Sequence, residues 1–550
     1  MNISIWFSWP AGGGVNTAWL LLAELLSQKW YNILVDKEYA SIIKWGNNLI
    51  VVYISDDQPF ISKKIDYFIC FDDFSITKNE KVYDLQNIIN IKDFSSKYKN
   101  VPAFGYSLKI LWLDLKEWEK VLEKFFQWDI LKSNIELLEQ WYTDVISTGV
   151  EKSLDLSKKI WDPKTLFHWN EIIAKWAMES GLDRYSAYPM TPASTIIDEV
   201  AKDPRVTFFQ WEDEIAVSMS MLWAKFAGKR AMCGTSGGWF ALMTESISYS
   251  NQAEIWWVYV LSQRDGPSTG TPTFTGQWDL DFALHASFGE TYPIVLAPSD
   301  FETWYNLIWK ALNWSDTYQH PVIYITDKQF SESYLSIDQK TLKAAKINRW
   351  ELAPFIWKGD RGFELKDKEF KRYLDTKSGI SPYSIAWTKD GEFIATSYEH
   401  DEFGATNEDP EIKKKMIEKR ARKLETFIKK EFNKDFYGYE IINPKAKKFF
   451  ITFGFNKYNL QSVITSETWQ SKGYWLIVIT VLQPLDTRLK QRLSDNEKNI
   501  EELTFVEMNH WWTFQKLITN ECSLKSDSRE KKIKNIRKYT LYPIFKEEIN

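Results

Sequence analysis

"VTFFQWEDEIAVSMSM", residues 206–221, is a strand pattern that runs into a helix pattern. "VTFFQ" (206–210) is a β-branched and aromatic run of strand length. Three acids follow it, Glu212, Asp213 and Glu214, and then an apolar-periodic segment. Acids favour the first turn of a helix, where backbone N–H groups are unpaired and electropositive. The same alternation extends in both directions. "RAMCGT" (230–235), "VYVLSQ" (258–263), "YPIVLAP" (292–298) and "PVIYIT" (321–326) read as buried strands, with helical patterns after most of them. Strand–helix alternation at this spacing predicts a mostly parallel sheet covered by helices on both faces.

Two further regions flank this one. In residues 1–150, "NILVD" (32–36), "NLIVVYIS" (48–55) and "DYFICF" (66–71) alternate with helical patterns such as 115–126 and 131–142. A charged stretch, 149–164, closes that region. Residues 346–440 are polar, and 409–432 reads as a strongly charged, solvated connecting helix with an apolar stripe. "KFFITFGF" (448–455), "YWLIVIT" (474–480) and "LTFVEMN" (503–509) form a third alternating region. The expected partition is 1–150, 166–345, a linker over 346–440, 441–525, and a charged tail over 526–550.

Composition narrows the class. The 550 residues are 44% hydrophobic and 26% charged, as in ordinary soluble proteins. A net charge of -5 argues against a general nucleic-acid binder. No apolar run reaches the roughly 18 to 20 residues that span a membrane, and the N-terminus does not read as an export leader. The expectation is a cytoplasmic protein with no membrane and no nucleic acid among its partners. Three cysteines, Cys70, Cys233 and Cys522, lie far apart, so this chain alone builds neither a disulfide framework nor a four-cysteine cluster. "EHDE" (399–402) lacks the i, i+4 spacing that converges on a metal, and no metal site is expected in the chain.

Four motifs occur in order: "YPMTPAST" (188–195), "FQWEDEIAVSMSM" (209–221), "GTSGGWFALMTE" (234–245) and "SQRDGPSTGTPTFTGQWDL" (262–280). In this arrangement the chain resembles the α subunit of 2-oxoacid:ferredoxin oxidoreductases, with an N-terminally fused γ domain. The resemblance implies three α/β domains: a Rossmann-like γ domain, a pyrimidine-type thiamine diphosphate domain and a transketolase C-terminal-like domain. It implies oxidative decarboxylation of a 2-oxoacid to acyl-CoA and CO2, with electrons passing to ferredoxin. 2-Oxoglutarate is the first substrate choice; pyruvate or a branched 2-oxoacid is the alternative, and a non-catalytic nucleotide-binding or scaffold protein on the same folds is the rival. It also implies a β subunit that carries the diphosphate end of the cofactor, Mg2+ and a [4Fe-4S] cluster. Such a partner would give a heterodimer or a dimer of heterodimers.

Thiamine chemistry needs a carboxylate against N1′ of the aminopyrimidine, where it controls the cofactor's tautomer. Glu212 matches the family's glutamate, with Glu214 as the fallback; read alone, the acids simply favour a helix N-terminus. Arg264 suits bidentate binding of the substrate carboxylate. The Thr191 hydroxyl can donate to the substrate, and Tyr188 and Pro189 belong to the same loop. Taken alone, "YPMTPAST" is a turn before a capped helix. Ser236 and Gly237 would line the cofactor edge. The glycine turn Gly12, Gly13 and Gly14 in "SWPAGGGVNTAW" (8–19), together with Gly46, is a candidate for coenzyme A binding or for packing at a subunit interface.

One feature contradicts the rest of the pattern. The chain has 28 Trp and only 23 Gly, whereas average usage predicts roughly 38 glycines in a chain of this length. Trp9, Trp19, Trp45, Trp169, Trp176, Trp223, Trp239, Trp350 and Trp387 stand where the family pattern has glycine, and the pairs Trp256–Trp257 and Trp511–Trp512 look equally misplaced. Some bacterial lineages read UGA as glycine, while a common translation table reads it as tryptophan. Recoding of about 20 positions would restore an ordinary glycine content.

Overall fold

Val258–Gln263 is buried at every residue and forms the central strand of a seven-stranded sheet. The computed structural model describes residues 2–10, 15–29, 31–39, 47–92, 100–111, 113, 121–123, 126, 128–144, 163–342, 345–350, 352–357, 363–365, 369–494, 500–524 and 532–549. The chain divides into two compact units. One comprises Met1–Trp169, Glu332–Lys343 and Ile544–Asn550; the other comprises Asn170–Ser331 and Ala344–Pro543.

In the larger unit the central sheet runs in the order Val481–Gln483, Ile294–Leu296, Val322–Asp327, Val258–Gln263, Ala231–Thr235, Arg184–Ala187, Thr207–Gln210. All neighbours are parallel except Val481–Gln483, which pairs antiparallel with Ile294–Leu296. The apolar runs read from the sequence thus become the predicted parallel strands. A second sheet of the same unit has five strands, in the order Tyr439–Ile442, Tyr474–Ile479, Lys448–Thr452, Glu502–Glu507, Lys532–Arg537. One continuous apolar core takes residues from Val217 to Leu524 and serves both sheets. The boundary expected near residue 441 is therefore no break in the core.

The smaller unit holds a seven-stranded mixed sheet, in the order Asp84–Asn90, Lys64–Cys70, Asn2–Pro10, Asn47–Ser55, Asn32–Glu38, Tyr334–Ile337, Thr165–His168. Asn2–Pro10 is parallel to Lys64–Cys70 but antiparallel to Asn47–Ser55. The α/β expectation holds here, with antiparallel pairs inside the sheet. Asn32–Glu38 and Asn47–Ser55 are joined by only the residues 39–46, too few for the crossover that parallel neighbours require, so they pair antiparallel. Helix Val15–Gln28 buries Ala18, Trp19, Leu21, Leu22, Leu25 and Leu26 in this unit's core.

Two more sequence expectations change. Thr165–His168 and Tyr334–Ile337 were expected in the middle domain, yet they pair with each other and extend the first sheet. Their apolar residues specify burial but not which sheet receives them. The charged tail also contributes structure: Lys532–Arg537 pairs in parallel with Glu502–Glu507, and Ile544, Phe545 and Ile549 are buried. Lysines on an edge strand keep it from pairing with another chain. Among the described residues, no helix is long and apolar enough to cross a membrane.

The charged helix Pro410–Glu431 is not simply solvated. Its Lys419 and Lys423 are fully buried and donate to the two oxygens of Glu254 at 2.6 and 3.0 Å. Burial alone would raise the Glu254 carboxyl, but Lys419, Lys423 and Arg372 hold it well below the usual carboxylate range. A second buried carboxylate, Asp316, accepts from Lys225, from Arg230 Nε at 2.9 Å and from Trp256 Nε1 at 3.0 Å. Burial pulls the Lys225 amine down to about 7 against the attraction of Asp316.

Removing one partner of a buried ion pair leaves the other charge uncompensated, typically at a cost of about 3–5 kcal/mol. Asp316→Ala should therefore lower the urea midpoint sharply, while Asp198→Ala on the exposed surface should leave it nearly unchanged. Equal midpoints for the two variants would contradict this account.

Candidate functional site

Each sequence motif follows the carboxyl end of a parallel strand. Tyr188–Thr191 follows Arg184–Ala187, Glu212–Glu214 follows Thr207–Gln210, Ser236–Gly237 follows Ala231–Thr235, and Arg264 follows Val258–Gln263. Open α/β sheets bind ligands at this edge, because the loops converge there and helix N-termini face it.

Helix Glu214–Phe226 begins with Asp213 as its N-cap; the Asp213 side chain accepts from Ala216 N at 2.7 Å. That cap fixes the faces of the helix. Glu214, Val217, Ser218, Met221, Leu222 and Lys225 form its buried stripe. Glu212 lies before the cap with its side chain exposed. Glu214 is 1% exposed, and both of its carboxyl oxygens are buried without a hydrogen-bond partner. Burial raises its carboxyl to about 7, with a small addition from Asp213. Burial raises the thiol of Cys233 on strand Ala231–Thr235, and the charge of Glu214 adds to that rise. The geometry separates the two candidates: Glu212 lies exposed before the helix cap, and Glu214 is buried. Helical spacing from Glu214 to Val217, Met221 and Lys225 was the sequence signal for this.

At the end of that strand, the hydroxyls of Thr235 and Ser236 are also buried without partners. Gly237 sits against Asp279: a Cβ there would meet Asp279 Oδ2 at 2.3 Å, so any larger residue would push the Asp279 carboxylate aside. Burial raises the Asp279 carboxyl to about 6, and the nearby Arg264 charge pulls against that rise. Asp279 N donates to Gln263 Oε1 at 3.0 Å. Arg264, only 7% exposed, donates from Nη1 to Thr191 O at 2.9 Å. Thr191 and Arg264 are thus brought together, through the threonine carbonyl. Tyr188 packs against Trp239 with ring centroids 6.1 Å apart, while Pro189 is exposed. Asp279 and Thr235 were not singled out from the sequence, although both lie within the quoted motifs.

Beside the Glu214 helix lies a cleft of about 1100 Å3. Ile215, Met219, Leu242, Phe288 and Tyr292 line it and stay exposed. Gly12, Gly13, Gly14 and Gly46 lie outside the described residues. In "EHDE", His400 is buried with its ring nitrogens facing Asp401 O at 3.1 Å and Gln252 O at 3.2 Å.

A carboxyl whose folded pKa is raised contributes stability that is fully present below its ordinary value of 4.5 and lost as pH rises through about 7. Glu214→Gln should therefore gain thermal stability over the parent between about pH 5 and about pH 8. Glu212→Gln should track the parent. Parallel pH dependences for the two variants would count against a buried, ionisable Glu214.

Residues 175–419 match the family described as pyruvate flavodoxin/ferredoxin oxidoreductase, thiamine diphosphate-binding. The chain is 26% identical over 590 residues to the 2-oxoacid:ferredoxin oxidoreductase subunit alpha of a Sulfolobus species, covering 90% of this chain and 89% of the relative. It is 36% identical over 162 residues to the 2-oxoglutarate synthase subunit KorA of Methanocaldococcus jannaschii, covering 29% of this chain and 44% of the relative. Its fold is similar to that of a 2-oxoglutarate:ferredoxin oxidoreductase from Magnetococcus marinus, solved with 2-oxoglutarate, coenzyme A and succinyl-CoA bound. The TM-score is 0.88 at 23% identity, over 100% of this chain and 98% of that one. With its motifs gathered at one sheet edge, the chain is similar over most of its length to the α subunits of the 2-oxoacid:ferredoxin oxidoreductases.

Proposed function

We propose that this chain works in the cytoplasm as the α subunit of an enzyme that converts 2-oxoglutarate and coenzyme A to succinyl-CoA and CO2. The two electrons released pass singly to two oxidised ferredoxins. The observation that carries this reading is the partnerless, buried carboxyl of Glu214, together with the equally partnerless hydroxyls of Thr235 and Ser236 at the carboxyl edge of the same sheet. Native proteins rarely leave buried polar atoms unpaired, and where they do a ligand is a physical explanation. An aminopyrimidine, with a ring nitrogen and an amino group, offers the complementary set, so these residues fit thiamine diphosphate. The choice of 2-oxoglutarate is supported by the relatives whose names carry it.

Thiamine diphosphate, when bound, supplies the electron sink for decarboxylation. The chain supplies position and proton control. Glu214, with a carboxyl raised to about 7, can hold or release a proton near neutral pH at the atom facing the pyrimidine. Arg264 is held by the Thr191 carbonyl, and its remaining N–H groups suit a substrate carboxylate. The Thr191 hydroxyl is assigned to the substrate, and Tyr188, Ser236 and Gly237 to the cofactor wall. The exposed apolar rim of Ile215, Met219 and Leu242 continues from the Glu214 helix, and we assign this cleft to the β subunit. That partner would bring the diphosphate site, Mg2+ and the [4Fe-4S] cluster, and its docking would close the site to water.

The test is co-expression with a β subunit under anaerobic conditions, with suspect codons read as tryptophan in one arm and glycine in the other. CoA-dependent reduction of a viologen dye by 2-oxoglutarate in either arm, faster than by pyruvate or 2-oxoisovalerate, is expected. No reduction with any 2-oxoacid in both arms would overturn the reading. Arg264→Lys should lower kcat/KM by about 10- to 100-fold, because a point charge does not reproduce a bidentate contact. Near-wild-type kinetics would remove Arg264 from the substrate site.

A further inference from the structure

We infer that positions 387 and 512 are glycine in the natural protein, decoded from UGA, and that the tryptophans written there are a translation-table artefact. The backbone carries this inference, whatever the enzyme's substrate.

Thr388 N donates to Ile385 O at 3.1 Å, closing a turn with Ala386 and Trp387 at its centre. Trp387 has φ +71° in that turn, and Ala386 does not share the positive φ. A positive φ confined to the third residue defines a type II turn, which calls for glycine or asparagine there. No packing offsets the misfit, because the Trp387 side chain is 96% exposed. Trp512 is the N-cap of helix Thr513–Glu521, with φ 56° and ψ 38°, in the left-handed region. Its side chain makes no capping hydrogen bond. It is 45% exposed and stacks on the Arg537 guanidinium at 4.6 Å, while its neighbour Trp511 is 66% exposed. Glycine is accepted at N-caps and in the left-handed region, whereas a bulky aromatic is favoured in neither.

The other non-glycine residues at positive φ, among the described residues, have reasons to be there. Ser268, Asp390, Asn443 and Ser523 carry the short polar side chains that turns accept, and Asn443 Oδ1 accepts from Lys445 N at 3.3 Å. Glu254 and Gln319 are locked by buried partners: Glu254 by Lys419 and Lys423, and Gln319 through donation to Ser381 O at 2.6 Å. Trp387 and Trp512 have neither kind of support. A second signal is independent of the backbone. The indole N–H groups of Trp6, Trp19 and Trp350 are buried with no acceptor, a donor that glycine would not bring. Together with 28 Trp against 23 Gly, these observations fit one cause, a codon read with the wrong table.

The test reads the gene and the protein from the cells that carry it. UGA at codons 387 and 512, with glycine in the corresponding peptides by mass spectrometry, is expected. UGG at both codons, or tryptophan in the native peptides, would overturn the inference. A recombinant series tests the backbone argument directly. Trp387→Gly should raise the thermal midpoint by about 2 °C or more over the tryptophan form, and Trp387→Ala by less, since alanine keeps the Cβ that opposes positive φ. Alanine matching or exceeding glycine there would count against it.

Discussion

Asp316 holds the larger unit in register. It sits near the end of helix Phe301–Tyr318, nearly fully buried, and accepts from Lys225, Arg230 and Trp256. Lys225 ends the helix that Glu214 begins. Arg230 leads into strand Ala231–Thr235, which Ser236 follows, and Trp256 leads towards strand Val258–Gln263, which Arg264 follows. One carboxylate thus fixes one end of each of three elements whose opposite ends lead to the proposed site. Such an arrangement gains little net energy, because desolvating the charges offsets their attraction. Its effect is geometric: a small tilt of any of the three elements would break a charged hydrogen bond.

The two edges of this sheet treat carboxylates in opposite ways. At the amino edge, burial alone would raise Asp316, but Lys225, Arg230 and Arg349 hold its carboxyl below the ordinary range. At the carboxyl edge, Glu214 and Asp279 are buried with little compensation, and both are raised. A fold built for stability alone would not leave them so. Perturbed carboxyls gathered at the ligand-binding edge of an α/β sheet are the physical signature of a functional site, because binding supplies the partners that the protein withholds.

Much of this was legible in the sequence. Buried parallel strands are near-continuous apolar runs, so Ala231–Thr235, Val258–Gln263 and Val322–Asp327 declare themselves without knowledge of their neighbours. The edge that carries the proposed site follows from strand direction alone. Pairing was less legible. Nothing in "TLFH" (165–168) says that it lies beside Tyr334–Ile337, because four residues encode burial but not a partner. Lysine at 419 and 423 reads as solvated surface until Glu254, far away in sequence, turns out to face both. The difference between Glu212 and Glu214 has a simpler origin: the phase of the helix decides which acid points inward, and similarity of motif does not report it.

The antiparallel edge strand Val481–Gln483 has a further consequence. Ala297 N donates to Thr480 O at 2.8 Å, and Gln483 Nε2 donates to Pro293 O at 2.9 Å. The sheet that carries the proposed site is therefore finished by residues almost two hundred positions later in the chain. A ribosome releases that edge only after most of the protein has been made. Until then Ile294–Leu296 presents unpaired backbone groups, the kind of strand edge that nascent chains must keep from one another.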